Sequence, residues 1–482
     1  MIFTRLLLWL CIVSVCTQIQ FTQDANAQGL TCPAHSESFV RPRIRNDRSI
    51  RVFDENRDGL FDDRDIQHVL DLAARRHAET GDLYTVLLDG PRSVYPISNT
   101  LRISSGVILD GRGRRIVATP SFDRAHLISI SDNSFRSGVI DTEIYTNYRA
   151  DISAVSVGAN ARVVFIYDNK FVDETFNDPR VLQEGNGTGI AMVSAVRPGI
   201  RYLYIDGNFF LHVPTGVRIG TNPMSNIIVS NNIINQWRVR GISIKGAPSG
   251  SIEHIRIIHN RINPPKNGGV RQPIAIQRSS DDSFNYINHV HVNYNRIYNH
   301  DEPHIFEYRT DGQGERFKHT ILNNASTDSI SLHQVINFQV VGNCIINSGE
   351  VGITIARRST SGIVAFNYIY GADTVGIAVG SSPRSPEELV TDISAHSNTI
   401  VNPGSNRDNS LPTWARSGIA FINSSHNVAN NNTIIENRTR YARDGTPLTQ
   451  GFAFYEFSAN NITYGNSNTL RAPAHVRFRG SR

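Results

Sequence analysis

Between residues 218 and 358 the chain concentrates cationic and proton-transferring side chains: Arg218, Lys245, Arg278, Arg309, His333, Arg357 and Arg358. One stretch, from Asn299 to Gly312, brings together His300, Asp301, Glu302, His304, Glu307, Tyr308, Arg309 and Asp311. Arginine and lysine pair with carboxylates, and a paired carboxylate makes the neighbouring C–H bond more acidic. Lysine, histidine or tyrosine can then remove that proton, while a second group assists a leaving oxygen or reprotonates the other face. Lys245, His304 and Tyr308 are the candidate proton acceptors, and Arg309 or Arg278 is the candidate neutralising cation. Arg218, Arg278, His333 and Arg357 are candidates for holding further anions of a polymeric substrate. A different chemistry, glycoside hydrolysis by paired carboxylic acids, would draw on Asp281, Asp282 or Asp311.

Such residues act together only if the fold stacks them, and the sequence contains a stacking device. Alternating apolar residues followed by Asn-x-(Ile/Phe) recur at Asn169, Asn208, Asn232, Asn260, Asn295, Asn343, Asn367, Asn398 and Asn432. The steps from Asn208 to Asn232 and from Asn343 to Asn367 are each 24 residues, and that from Asn295 to Asn343 is 48, or two coils. A period in the twenties marks a solenoid. Gly-apolar-x-apolar follows the Asn motif at Gly216, Gly241, Gly352 and Gly376. Alternation with period two puts one set of side chains inside and the other outside, and stacked asparagine amides can hydrogen-bond from coil to coil. Leucine-rich repeats also carry an Asn, but they need Leu-rich helical segments that this chain lacks. The reading is an all-β chain, a single-stranded right-handed parallel β-helix. Adjacent coils about 4.8 Å apart would then align Arg218, Lys245, Arg278, Arg309, His333 and Arg357 in one basic stripe, ending where Ala378, Ala420 and Ala453 take the outward position. The same stripe could instead be a solvated face. His254, His289 and His426 lie six residues before the repeated Asn, with His319 in the same row, and read as stacked turn residues, not a metal site.

Ile66, Val69, Leu70 and Ala73 fall on one face of a helix, which can cap the open end of the first coil. Leu87-Leu88-Asp89-Gly90, Tyr95-Pro96-Ile97, Leu101-Arg102-Ile103 and Gly106-Val107-Ile108-Leu109-Asp110-Gly111 follow it. This run resembles the entry segment of the pectin-lyase-like β-helix superfamily. The resemblance implies a capping helix followed by a right-handed parallel β-helix over most of the chain. It leaves the reaction open among polysaccharide lyases, glycoside hydrolases, uronan epimerases and phage adhesins. Asp301-Glu302-Pro303-His304 is similar to the Asp-Pro-His signature of mannuronan C5-epimerases, with Glu302 inserted. The Gly-His-Gly and Arg-Ile-Lys segments of polygalacturonases are absent.

Asp54 to Asp65 matches the spacing of an EF-hand loop. It offers a structural Ca2+ ion the side chains of Asp54, Asn56 and Asp58, the Leu60 carbonyl, Asp62 directly or through water, and Asp65, with Gly59 at the sharp turn. Position twelve is Asp where Glu is usual, and Asp62 and Asp63 also suit a helix N-terminus. Arg5, the apolar run Leu6 to Val15 and Ala25-Asn26-Ala27 read as a secretory signal cleaved before Gln28. Cys11 and Cys16 leave with it, so Cys32 and Cys344 are too few for a disulfide framework. A net charge of +5 favours an acidic partner without implying nucleic acid, and no later stretch is apolar enough to span a bilayer. The expected organisation is a signal at 1–27, a loop and capping helix at 28–80, the β-helix at 81–475 and a tail at 476–482. The expected protein is a secreted or periplasmic monomer that acts on an acidic, uronate-containing polysaccharide by β-elimination or C5-epimerisation. The alternatives are a hydrolase on the same scaffold and a non-catalytic glycan-binding surface protein.

Overall fold

In a computed structural model of the chain, the described residues are 40–44, 48–54, 61–90, 93–146, 152–173, 191–220, 223–237, 239–246, 250–263, 272–278, 287–298, 328–380, 389–404, 416–436, 450–455, 458, 460–468 and 475–477. The chain divides into two units, 1–33 and 34–482, and every described residue belongs to the second. Its strands form two parallel sheets. Among the described residues sheet 1 has 13 strands, including Thr215–Gly220, Arg240–Gly246, Gln272–Arg278, Ile330–His333 and Ile353–Ala356. Sheet 2 has 26 strands among the described residues and supplies two to most repeats, for example Arg201–Asp206 and Phe209–Leu211. Strands one coil apart pair in parallel, as Val217 with Ile242 and Ile242 with Ile274. Parallel crossovers of this kind run right-handed, and the molecule is a right-handed parallel β-helix.

The bend in sheet 2 explains the Asn repeat. The residue before each Asn is left-handed: φ is 52° at Asn231, 56° at His259, 57° at Tyr294 and 71° at Gly207. Each non-glycine residue in that conformation costs roughly 1 kcal/mol, and the bend turns the next side chain inward. There the amides form a continuous ladder. The Nδ2 of Asn208 donates to the Oδ1 of Asn232 at 3.0 Å, Asn232 to Asn260 at 2.9 Å, and Asn260 to Asn295 at 3.0 Å. The same oxygens accept the preceding asparagine's backbone N–H, and each Nδ2 reaches an interior carbonyl, such as Ile205 at 2.9 Å. The ladder runs from Asn169 to Asn466, one rung beyond the repeated motif.

The interior between the sheets is aliphatic, with Ile242, Ile244, Ile274 and Ile276 buried on the inward face of sheet 1. Phe171 and Phe210 stack at 4.8 Å. Where a glycine opens a sheet 1 strand, as at Gly216, Gly241, Gly352, Gly376 and Gly418, this packing requires it. A Cβ at Gly376 would lie 2.6 Å from the Gly418 carbonyl oxygen and 2.5 Å from Ile400.

Helix α1 (Asp63–Thr80) closes the N-terminal end, with Ile66, Val69, Leu70 and Ala73 buried as their spacing predicts. A strand at Arg48–Arg51 precedes it and pairs with Tyr84–Leu87. Further along, the described N-terminal residues lie against the outside of sheet 2. Ile44 packs on a small outer cluster with Ile108 and Phe165. Arg41 donates to both Asp168 and Asp206, and its guanidinium sits 4.7 Å over the Tyr167 ring. Asp206 is 2% exposed and also accepts from Ser230 and Asn231. Cys344, on the outer face of a sheet 2 strand, is disulfide-bonded. The other cysteines lie outside the described residues.

Candidate functional site

The outer face of sheet 1 carries two rows of side chains, because alternate residues of each strand point outward. In one row Ser194 pairs with Arg218, Arg218 with Ser243, and Ser243 with Ala275. The row continues through Ser331 and Thr354 to Ala378, Ala420 and Ala453. In the second row Gly220 pairs with Lys245, and Lys245 with Gln277. Arg218 and Lys245 therefore lie in different rows of neighbouring coils. Arg278 pairs with Gly246, one position beyond the Lys245 row. His333 pairs with Ala356, and Arg357 follows that strand in a left-handed turn, φ 48°. The expected single stripe is thus a cluster around Arg218 and Lys245, with His333 and Arg357 further along the same face.

A residue that the sequence pattern did not single out completes the cluster. Arg240 opens its strand just before Gly241, and its Nη1 donates to the Ser243 hydroxyl at 3.1 Å. Ser243 is the register neighbour of Arg218. Both arginines are half-buried. Burial pushes the guanidinium pKa of Arg218 down; burial and then the charge of Arg218 push that of Arg240 down. Among the described residues neither makes an ion pair. The signal that marks Arg240 in sequence is an arginine directly before the strand-opening glycine, where the preceding coil has Thr215.

Several described neighbours of the cluster, Ser194, Gln272, Gln277, Ser331 and Thr354, are polar and uncharged. Gln277 donates to Gln272 at 3.0 Å, and Gln272 is the register neighbour of Arg240. Ser331 and His333 share a hydrogen bond of 3.0 Å. Thr354, 7% exposed, has an Oγ1 with no hydrogen-bond partner among the described residues. Beyond it Ala378, Ala420, Ile422 and Ala453 form a buried apolar cluster on the same face, which ends the polar surface. Lys245 is exposed.

His304, Tyr308 and Arg309 lie outside the described residues, as do Asp281, Asp282 and Asp311. In the Asp54–Asp65 loop, Asn56, Asp58 and Leu60 also lie outside them. Asp62 is the N-cap of α1: its Oδ1 accepts from the Arg64 N–H at 2.8 Å, and Asp65 accepts from the Asp62 N–H at 3.3 Å, a capping box. Among the described residues no group of three or more His, Cys, Asp or Glu is placed to hold a metal ion. His254 and His289 stack at 4.7 Å between rings, as their common spacing from the Asn predicts, but they sit at left-handed positions within the strands Ile252–Ile258 and Ile287–Asn293, not in turns; His426 has the same left-handed backbone. No described helix is long and apolar enough to cross a membrane.

No family model matches the chain, and no curated protein is similar to it in sequence. Among solved structures it is similar to a tailspike protein of E. coli bacteriophage HK620, at 11% identity and a TM-score of 0.49, covering 83% of this chain and 76% of that one. It is also similar to the periplasmic alginate epimerase AlgG, at 14% identity and a TM-score of 0.40, covering 81% and 84%. A third similar structure is the A-module of the Azotobacter vinelandii mannuronan C-5 epimerase AlgE4, at 10% identity and a TM-score of 0.35, covering 86% and 96%. The coils described above form a parallel β-helix of two parallel sheets.

Proposed function

We propose that this chain is an exported, carbohydrate-active β-helix protein that acts on an acidic, uronate-containing polysaccharide. The observation that supports it is the Arg218–Arg240 pair. Two half-buried arginines of adjacent coils, near enough for the charge of Arg218 to push the Arg240 pKa down, make no ion pair among the described residues. A fold gains nothing from such a pair on its own, since desolvation and like-charge repulsion both work against it. A bound anion reverses both terms, and a planar carboxylate matches the guanidinium fork. The pair lies on a rigid parallel sheet whose repeat of about 4.8 Å approximates the length of a sugar residue.

The chemistry that follows is proton abstraction at C5 of a uronate. With its carboxylate held by Arg218 and Arg240, the C5–H bond becomes more acidic. Lys245, two residues beyond Ser243 on the same strand, takes the proton. Loss of the oxygen at C4 then gives an unsaturated sugar, whereas return of a proton to the opposite face gives the epimer. Export is supported by the N-terminal residue pattern and by the disulfide at Cys344, a bond of oxidising compartments.

Incubation with uronate polymers tests the reading. Ultraviolet absorbance from unsaturated ends identifies elimination, and a changed uronate composition at constant chain length identifies epimerisation. Reducing ends without absorbance would place hydrolysis first, and binding without conversion would leave a lectin. Neither binding to nor conversion of any acidic polymer would overturn the proposal.

A further inference from the structure

Sheet 2 carries a second, fully exposed set of cations and aromatic rings near the start of its strands. Phe135 is the register neighbour of Arg162, Arg162 of Arg201, and Arg201 of Ser225. Phe135, Arg162 and Arg201 are all exposed. The residue after each of the four is left-handed, with φ of 53° at Arg136 and 58° at Val163, Tyr202 and Asn226. That backbone turns two successive side chains outward before the alternation resumes: Arg201 and Tyr202 are exposed, and Leu203 is buried.

Arg162 and Arg201 sit one strand spacing apart along the axis, roughly 4.8 Å. Like charges directly opposite on neighbouring strands destabilise a sheet, so the coil gains nothing from the pair. An anionic group between the two guanidinium forks would be held by both. Phe135 lies one coil before Arg162, and Tyr202 stands beside Arg201; the two are 48% and 45% exposed. They are two strand spacings apart along the axis, roughly 10 Å, so the sugars on either side of an acidic residue would meet their rings. Two coils beyond Arg201 the row reaches Glu253, which closes the cationic stretch. The buried Ser137, Val164 and Leu203 bound it along the strands. A strip two residues wide suits an extended polymer, whereas a bilayer surface is met by a broad apolar face. We propose that Phe135, Arg162, Arg201 and Tyr202 form a second binding site for an acidic polysaccharide, on a different sheet from Arg218 and Arg240. The ligand class rests on the reading above; the site retains the polymer and takes no part in its chemistry.

The test variant is Arg201→Ser/Tyr202→Asn. It copies the Ser225-Asn226 pair of the next coil, which has the same backbone, so the altered coil keeps its shape. Calorimetric titration of the full-length protein at fixed ionic strength uses alginate, polygalacturonate, uncharged dextran and phosphatidylglycerol vesicles as probes. The expected result is binding of the parent to a polyuronate but not to dextran, an affinity at least about tenfold weaker in the variant, and residual affinity in Arg218→Gln/Arg240→Gln that disappears when the two sets of substitutions are combined. Equal polyuronate affinity in the parent and in Arg201→Ser/Tyr202→Asn, with loss in Arg218→Gln/Arg240→Gln, would overturn the second site and leave the acidic-glycan reading intact. Vesicle binding that the variant loses, with polyuronate affinity unchanged, would overturn it in favour of a bilayer. Polyuronate binding by the parent no tighter than its binding to dextran would overturn both.

Discussion

Replacing Arg240 with glutamine should make the protein more stable and less able to bind. Arg240 is half-buried, hydrogen-bonded to Ser243 and repelled by Arg218, and it makes no ion pair among the described residues. Glutamine keeps an amide donor within reach of the Ser243 hydroxyl but removes the charge. Its partial exposure limits the gain, so we expect roughly 0.5–1 kcal/mol, in the range typical when a functional residue costs stability. Binding responds in the opposite direction. A charge-assisted hydrogen bond is worth roughly 1.5–3 kcal/mol, which corresponds to about 10- to 150-fold in affinity for an acidic polymer. Urea unfolding followed by far-ultraviolet dichroism reads the first quantity, and calorimetric titration with a uronate-bearing polysaccharide reads the second. Arg218→Gln should behave alike, and the double variant should lose less affinity than the sum of the two, because both guanidiniums serve one anion. A variant that unfolds more readily and binds as well as the parent would show that Arg240 holds the coil together, and the site argument would fail.

Three further outcomes are expected. Asn232→Ala should cost on the order of 3–5 kcal/mol in chemical denaturation, because it orphans the buried Asn208 N–H and the Ile205 carbonyl and breaks the ladder; a loss under about 1 kcal/mol would mean the ladder is ornamental. Stability should fall as pH drops below about 6.5, the unfolded histidine value. Burial, then the charge of Arg197, depresses His126, and burial depresses His396, so the unfolded chain binds more protons there and stability rises with pH through that window; an unchanged slope in the His126→Gln/His396→Gln variant would refute this source. Calcium at millimolar concentration should raise the melting temperature, and Asp58→Ala should abolish the rise; no rise in the parent would leave Asp62 and Asp65 as helix caps alone.

The features legible in sequence are those that repeat. The Asn ladder announced itself because every coil needs the same buried amide at the same bend, and α1 because a cap must present one apolar face. Register was harder. Counting from each glycine put Arg218 and Lys245 in one stripe, but two outward rows exist, and only the pairing of Arg218 with Ser243 and of Lys245 with Gln277 separates them. Arg240 is not legible in the sequence because it precedes its glycine, outside the alternating pattern. Its importance comes from the neighbouring coil's Arg218, not from its own strand. Arg41 was illegible for a similar reason: its partners Asp168 and Asp206 lie 127 and 165 residues away, and no local pattern foretells such a pairing. The cluster of His304, Tyr308 and Arg309, and the ligands Asn56, Asp58 and Leu60, remain expectations of the sequence.

The central claim is that sheet 1 processes the uronate held by Arg218 and Arg240. Its most direct test is time-resolved absorbance at the unsaturated-uronate band, together with proton magnetic resonance of the uronate composition, for the parent and the Lys245→Ala variant on a panel of uronate-bearing polysaccharides. We predict conversion by the parent and a loss of turnover by orders of magnitude in the variant, with binding retained. Equal turnover by both proteins, or conversion that persists in an Arg218→Gln/Arg240→Gln variant, would contradict it.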